Sequence, residues 1–363
     1  MSRAELGAAI LGAGKVAEAH AIGYAGVEGC RVVRVLDVDP ARAAAMAARH
    51  GAAPATTIDE VLADPAVDIL SICTPHPTHA ELAIAGARAG RHILVEKPMA
   101  LTVADCDRMI GATDRAGVRL GVVSQRRFYP PVRRMRRALD EGRVGRPILS
   151  TLELLGWRGL DYYAMDPWRG TIAGEGGGVL VTQATHQLDV LLWFAGRPTW
   201  VSGRHGTFNH PGIEVEDTAV AIVEFANGGL GTIAASNGQH PGLWGRIRVH
   251  GESGASIGVE TERGSSFVSG VDSRIEPALI DTWTIPGEEG MLESWQAEDR
   301  AFAESVDGTT YYHGLQIADF VRAVRDGGSP LVTGQDGRAV VALFQAIYES
   351  NRTRRPVEIR TFS

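Results

Sequence analysis

The stretch Ala8-Ala-Ile-Leu-Gly12-Ala-Gly14-Lys-Val-Ala17 decides the fold. A short apolar run stops at two glycines one residue apart, and a helical pattern begins at Val16. That is the strand–turn–helix context a dinucleotide-binding motif requires. Gly12 permits the tight turn, Gly14 lets a pyrophosphate approach the backbone, and Ala17 stands where a third glycine often does. Working outward, Arg31-Val-Val-Arg-Val-Leu36 is a second strand that ends at Asp37. An acid there hydrogen-bonds the adenine ribose hydroxyls and repels a 2′-phosphate, which predicts NAD over NADP. Lys15 has three options: it reaches the ribose, pairs with Asp37, or stays solvated.

The alternation continues. Pro40 opens an alanine-rich helix to about His50, and Asp68-Ile-Leu-Ser-Ile-Cys73 is a strand ending at Thr74-Pro75. A helix follows to about Ala89, then the strand His92-Ile-Leu-Val95, ending at Glu96-Lys97-Pro98, and finally the strand Arg119-Leu-Gly-Val-Val123. Apolar strands alternating with helices predict an α/β unit whose parallel sheet is covered on both faces. Right-handed crossovers bring the strand C-termini to one edge, where ligands bind. From about Ile148 the strands lengthen and alternate, as in Ala219–Phe225, Gly231–Ser236 and Arg246–His250, with Asn227-Gly228-Gly229 as a hairpin turn. Helices are expected at about Val181–Ala195, Gly314–Asp326 and Asp336–Asn351. The expected division is residues 1–124, a nucleotide-binding domain, and 125–363, an α+β domain with an antiparallel sheet.

Composition sets bounds. A chain of 363 residues suggests two domains, and 44% hydrophobic with 22% charged residues fits a soluble globular protein. A net charge of −7 argues against a general nucleic-acid binder. The chain shows no run long enough for a membrane span and no leader-like start. Cys30, Cys73 and Cys106 form neither a disulfide framework nor a metal spacing, which fits a reducing cytoplasm. His76 and His79 lack clustered acids or cysteines, so no metal is expected. Arg133-Arg-Met-Arg-Arg137 reads as a solvated helix face, with an anionic partner as the lesser alternative. Of the 36 basic residues, only Lys15 and Lys97 are lysines. A buried lysine can lose its proton where arginine stays charged.

A second motif lies further on. Gly176-Gly-Gly178 leads into Val-Leu-Val-Thr182-Gln183-Ala-Thr-His186-Gln-Leu-Asp189. On one helix Thr182 and His186 are i and i+4 and share a face. The glycines allow close backbone approach, with nicotinamide and substrate as candidates. Alone, His186 reads first as a core histidine satisfied by a neighbour. The loop holding Tyr162, Tyr163, Trp168 and Arg169 suits sugar recognition or plain loop packing. His313 opens a C-terminal helix, where it caps the helix or faces the site.

Further matching elements are Thr74-Pro75 with His79, Ala89-Gly-Arg-His-Ile-Leu-Val-Glu96-Lys97-Pro98, Gln125-Arg-Arg-Phe128, Gln316-Ile-Ala-Asp319-Phe320 and Ala346-Ile-Tyr-Glu-Ser350. With the glycine motifs, and in this order, they make the sequence resemble the glucose–fructose oxidoreductase, inositol dehydrogenase and rhizopine-catabolism (Gfo/Idh/MocA) family nearly end to end. The resemblance implies a Rossmann domain followed by an open-faced, largely antiparallel sheet with helices. It implies interconversion of a secondary hydroxyl and a ketone on a sugar, glycoside or cyclitol with NAD(P), in a homodimer or homotetramer. The family's catalytic lysine falls on Lys97 and its histidine on His186. Its usual aspartate falls on Thr182, a departure that leaves the subgroup open, so the catalytic set becomes Lys97, Thr182 and His186.

The cofactor set implied is Gly12, Gly14, Lys15, Val16 and Asp37 from the first motif, with Thr74, Pro75, His76, His79, Glu96 and Lys97 from later strand ends. Gln125, Trp168 and Arg169 complete it. Substrate contacts are expected from Tyr163, Arg127, Gln183, His186 and His313. Hydride leaves the carbinol carbon for the nicotinamide, so a base must take the hydroxyl proton. A free lysine titrates near roughly 10.4, and desolvation beside a positive nicotinamide favours its neutral form. Glu96 opposes that shift if it points inward. The alternatives are an NAD-dependent glycosidase of the same fold and a noncatalytic nucleotide sensor.

Overall fold

The computed structural model describes residues 5–263 and 278–359; residues 1–4, on which the expectation of no leader partly rests, lie outside them. Strands β1 (Leu6–Leu11), β2 (Cys30–Leu36), β3 (Ala53–Ala55), β4 (Ile69–Ile72), β5 (His92–Val95) and β6 (Leu120–Val122) form one sheet in the order β3-β2-β1-β4-β5-β6. Every neighbouring pair is parallel. This is the strand order of the dinucleotide-binding fold. The sequence pattern misses β3, because Ala53-Pro-Ala55 is too short to show a period and pairs only at the sheet edge, with Arg34–Leu36.

Helices cover both faces, so Ile10, Ile69 and Leu94 are fully buried. The same core takes Ile317, Phe320 and Val321 from the helix Tyr311–Asp326. That helix lies against the helix Lys15–Ala25: a Cβ on Gly23 would stand 2.5 Å from Ile317 Cδ1. The segment Gly308–Arg338 therefore clusters with the residues up to Gln125, although a linear division at 124/125 assigns it to the second domain. A helix returning late in the chain to cover an early sheet leaves no local signal.

The second unit holds β7 (Pro147–Leu155), β8 (Pro198–Gly206), β9 (Thr218–Phe225), β10 (Leu230–Ser236), β11 (Trp244–Gly251), β12 (Ser256–Arg263), β13 (Leu279–Trp283) and β14 (Val357–Glu358). Their order is β13-β12-β11-β7-β10-β9-β8-β14, and only β7 and β10 pair in parallel. Along β9, Ala219, Ala221, Val223 and Phe225 are buried, while Val220 and Ile222 are exposed. At the expected hairpin, Phe225 N–H donates to Gly229 O (2.9 Å) and Gly228 adopts φ +82°.

The arginine stretch lies on the helix Pro130–Asp140 and is not wholly a solvated face. Arg134 forks onto Asp299 and lies over the Trp295 ring, and Arg136 pairs with Asp140 beside Trp193. Stacking on indoles explains arginine there. Cys30, Cys73 and Cys106 are buried free thiols. Among the described residues, no helix is long and apolar enough to cross a membrane.

Candidate active site

β1 runs into Gly12, whose φ of +90° suits glycine, and a Cβ there would stand 2.7 Å from the Cys73 carbonyl. Gly14 caps the helix Lys15–Ala25 without a side-chain hydrogen bond, and nothing lies within 4 Å of where its Cβ would be. A helix start with open space and no side-chain cap offers its first N–H groups to an anion, and a pyrophosphate fits there. Val16 is half-buried in that first turn, and Lys15 is exposed. Asp37 Oδ2 accepts from Ala13 N–H (2.7 Å), and Oδ1 accepts from Asp39 N–H (2.8 Å). Arg42, not Lys15, pairs with it at 3.2 Å. Asp37 thus ties the glycine loop to the end of β2.

Thr74, Pro75 and His76 form the rim after β4. Thr78 Oγ1 donates to Thr74 Oγ1 (2.7 Å), and the His76 ring stands edge-on to His79, centroids 5.8 Å apart. His79, expected at the cofactor, is fully buried. Its ring nitrogens lie 2.8 Å from Thr74 O and 2.9 Å from Pro98 O. It fastens the loop after β4 to the loop after β5, and burial lowers its pKa while the two carbonyls oppose that. Gln125 is half-buried just past β6. There Gln316 accepts from Ser124 N–H (2.9 Å) and donates to Val122 O (2.8 Å).

Glu96 does point inward, toward a residue the sequence did not single out. His20, on the first helix and fully buried, lies 3.0 Å from Glu96 Oε1 through Nε2 and 2.7 Å from Ser71 Oγ through Nδ1. Lys97 N–H donates to Glu96 Oε2 (3.1 Å), and Lys97 itself is half-buried. His313 belongs to this nucleotide-binding unit. Its Nδ1–H donates to Thr309 O (3.2 Å), and its ring centroid is 5.9 Å from that of His20. One potential ligand atom from each of His20, Glu96 and His313 lies within 4.8 Å of the others. Both ring nitrogens of His20 are engaged, by Ser71 and Glu96, with the His313 ring beside them. A lone histidine among Ala17, Ala21 and Tyr24, on the buried side of the first helix, was the available signal.

In the second unit, the glycine run serves packing within the unit. A Cβ on Gly178 would lie 1.8 Å from Glu216 O, and one on Gly177 would lie 2.1 Å from Tyr348 Oη. Glu216 accepts from Gly178 N–H (2.7 Å), Leu180 N–H (3.0 Å) and Tyr348 O–H (2.9 Å), and burial raises its pKa. The expected single helix is divided into Val179–Thr182 and Thr185–Ala195. Gln183 N–H and Ala184 N–H both reach Val179 O, at 3.2 and 2.8 Å. The second is a five-residue step that widens the turn. Thr182 and His186 therefore do not share one regular i, i+4 face.

Thr182 Oγ1 donates to Gly178 O (2.8 Å) and contacts Gln183 Oε1. Gln183 accepts from Asn237 Nδ2 (2.8 Å) and donates to Tyr162 Oη (3.3 Å). His186 is half-buried in the first turn of its helix. Tyr163 packs edge-on against Tyr162 and His210, and burial raises its pKa. Arg169 pairs with Asp166 and lies 4.5 Å from the ring centroids of both Trp168 and Tyr162. Asn237, which the sequence reading missed, joins Gln183 to β10.

Arg127, expected to touch substrate, is buried and committed elsewhere. Its Nε and Nη2 donate to Asp189 Oδ2 (2.7 Å) and Oδ1 (2.6 Å), and its guanidinium lies 5.0 Å from the Trp193 ring centroid. Its fork holds the helix Thr185–Ala195, one turn beyond His186.

A glycine loop of this kind on a 3-2-1-4-5-6 sheet, in a chain with a separate α+β unit, is the architecture of a two-domain nucleotide-dependent oxidoreductase. A family model described as "Oxidoreductase family, NAD-binding Rossmann fold" matches residues 6–124, and one for the GFO/IDH/MocA C-terminal domain matches residues 132–257. The chain belongs to the Gfo/Idh/MocA oxidoreductase family, and its first unit is an NAD-binding domain. It is 29% identical to inositol 2-dehydrogenase of Rhizobium meliloti over 96% of this chain and 98% of that protein. It is 26% identical to levoglucosan dehydrogenase of Pseudarthrobacter phenanthrenivorans, over 95% and 96%. The crystal structure of the WlbA dehydrogenase from Bordetella pertussis, in complex with NADH and UDP-GlcNAcA, matches with a TM-score of 0.87 at 28% identity, covering 100% of both chains.

Proposed function

We propose that the protein is an NAD-dependent dehydrogenase that interconverts a secondary hydroxyl and a ketone on a sugar, glycoside or cyclitol. The observation that carries this is Lys97: one of two lysines in the chain, half-buried at the exit of β5 in the NAD-binding unit. Bound NAD supplies the hydride acceptor. The chain supplies the proton chemistry: Lys97 takes the hydroxyl proton, His186 shares it, and Thr182, which cannot ionise usefully, orients the hydroxyl. Tyr163 and Gln183 contact the sugar. Relatives named for inositol and levoglucosan, and a structural neighbour holding UDP-GlcNAcA, support the carbohydrate class.

The test is a screen of NADH formation over monosaccharides, glycosides, anhydrosugars and inositols. At least one should reduce NAD stoichiometrically, with a higher kcat/KM for NAD than for NADP because of Asp37. Bond cleavage without net NADH would assign a glycosidase. Inactivity across the panel despite tight NAD binding would leave a sensor.

A homodimer or homotetramer in the cytoplasm belongs to the same reading. Leu149, Val220, Ile222 and Leu230 are exposed on β7, β9 and β10, an apolar surface that association would cover. Light scattering should give at least twice the 38.7 kDa chain mass; a monomer at micromolar concentration would overturn this.

A further inference from the structure

Resting on Lys97 as the base, we propose that His20 and Glu96 form a buried positioning pair for that lysine: the His20 imidazolium neutralises the Glu96 carboxylate, and Glu96 holds the Lys97 backbone N–H, so that no bare anion beside Lys97 retains its proton. Four segments converge to build it. His20 comes from the first helix, Ser71 from β4, Glu96 from the exit of β5, and His313 from the helix Tyr311–Asp326. As an imidazolium, His20 donates through Nδ1 to Ser71 Oγ (2.7 Å) and through Nε2 to Glu96 Oε1 (3.0 Å). The second carboxylate oxygen accepts the Lys97 N–H at 3.1 Å. The side chains of the pair are 0% and 10% exposed. An ionised carboxylate so placed needs a charged or multiply hydrogen-bonded partner.

Burial opposes both charges, yet each survives. Burial lowers the His20 pKa, and Glu96, hydrogen-bonded to it and oppositely charged, is among the groups that raise it above the ordinary value. His20 likewise outweighs burial at Glu96 and brings it to about 2. Both shifts run in the direction that favours the ionised pair. The other titratable neighbours add little charge. Burial pushes His313 to about 4, lowers His79, and raises the Tyr24 phenol beyond reach. Lys97 is within electrostatic range of both Glu96 and His313. Without His20, the Glu96 carboxylate faces Lys97 alone and raises its pKa.

The test is the pH profile of kcat/KM for substrate oxidation in the wild type, His20→Gln, Glu96→Gln and the double variant. His20→Gln should move the acid limb upward by about one pH unit, a loss of about tenfold at neutral pH that shrinks above the limb. Glu96→Gln should move it downward, and the double variant should return it close to the wild-type position. A merely structural pair would lower kcat/KM by one factor at every pH. A folded His20→Gln enzyme with an unmoved limb overturns the proposal.

Lys97→Arg separates the two levels. If that enzyme keeps both activity and limb, the base assignment falls and the pair loses its purpose. If it is inactive while the His20→Gln limb is unmoved, the pair alone is overturned. Should His20→Gln not fold, histidine-labelled wild-type protein decides by NMR. One imidazolium should persist above about pH 8; finding every histidine neutral there overturns the pair.

Discussion

Replacing Lys97 with Arg is expected to lower kcat/KM for substrate oxidation by about 10²–10⁴-fold, the range a positioned general base supplies, with NAD binding retained. The substitution keeps a long cationic side chain at the exit of β5 and removes only the ability to titrate, since a guanidinium stays protonated. Binding and orientation by charge would survive it; proton removal would not. Lys97→Ala should be similarly slow, but small primary amines added at alkaline pH should recover part of its rate, because they replace the lost base. The Arg variant should not respond, its side chain still filling the space. Steady-state turnover beside a fluorescence titration with NADH reads both terms. An Arg enzyme within a few-fold of wild type would remove the proton-transfer role.

What the sequence revealed and what it hid divide along locality. The turn at Gly12, the open space at Gly14 and the acid at Asp37 all lie within one strand–helix–strand unit. A pattern over neighbouring residues therefore carries their geometry. Glu96 and Lys97 were legible for the same reason, as the end of a strand. The carboxylate's direction was not, because it depends on His20 and Ser71, residues remote in sequence. His313 was recognisable as opening a helix, yet its packing against the early core depends on Gly23 and Ile317 meeting across almost the whole chain.

The motif Gly176–His186 shows the limit most clearly. Its residue types suggested ligand approach and a regular helix face. What makes two of the glycines obligatory is the Glu216 backbone and the Tyr348 hydroxyl, and a widened turn at Ala184 breaks the helix. Neither partner is local, and no periodicity marks an inserted residue. The partners of His79 and Arg127 were hidden in a related way. Polar residues within functional motifs read as ligand contacts until the carbonyls or carboxylate that occupy them are known.

Arg127 makes that last distinction measurable. Its fork is occupied at both Nε and Nη2 by one carboxylate, and the two side chains are 3% and 5% exposed. Arg127→Met would leave Asp189 buried without its cation, and breaking such a pair from one side costs about 3–5 kcal/mol. For a unit of this size that corresponds to a fall in Tm on the order of 10 °C. Arg127→Lys should recover little of it, because an ammonium cannot reproduce the two-pronged contact or lie as a plane against Trp193. The double variant Arg127→Met, Asp189→Leu should recover most of the loss, since it removes the stranded charge along with its partner. If Arg127 instead served substrate, Arg127→Met would raise KM and leave Tm near wild type. Calorimetry and saturation kinetics on the same three variants separate the outcomes. An unchanged Tm in Arg127→Met would return this residue to the substrate set and leave the anchoring of the His186 helix without its buried cation.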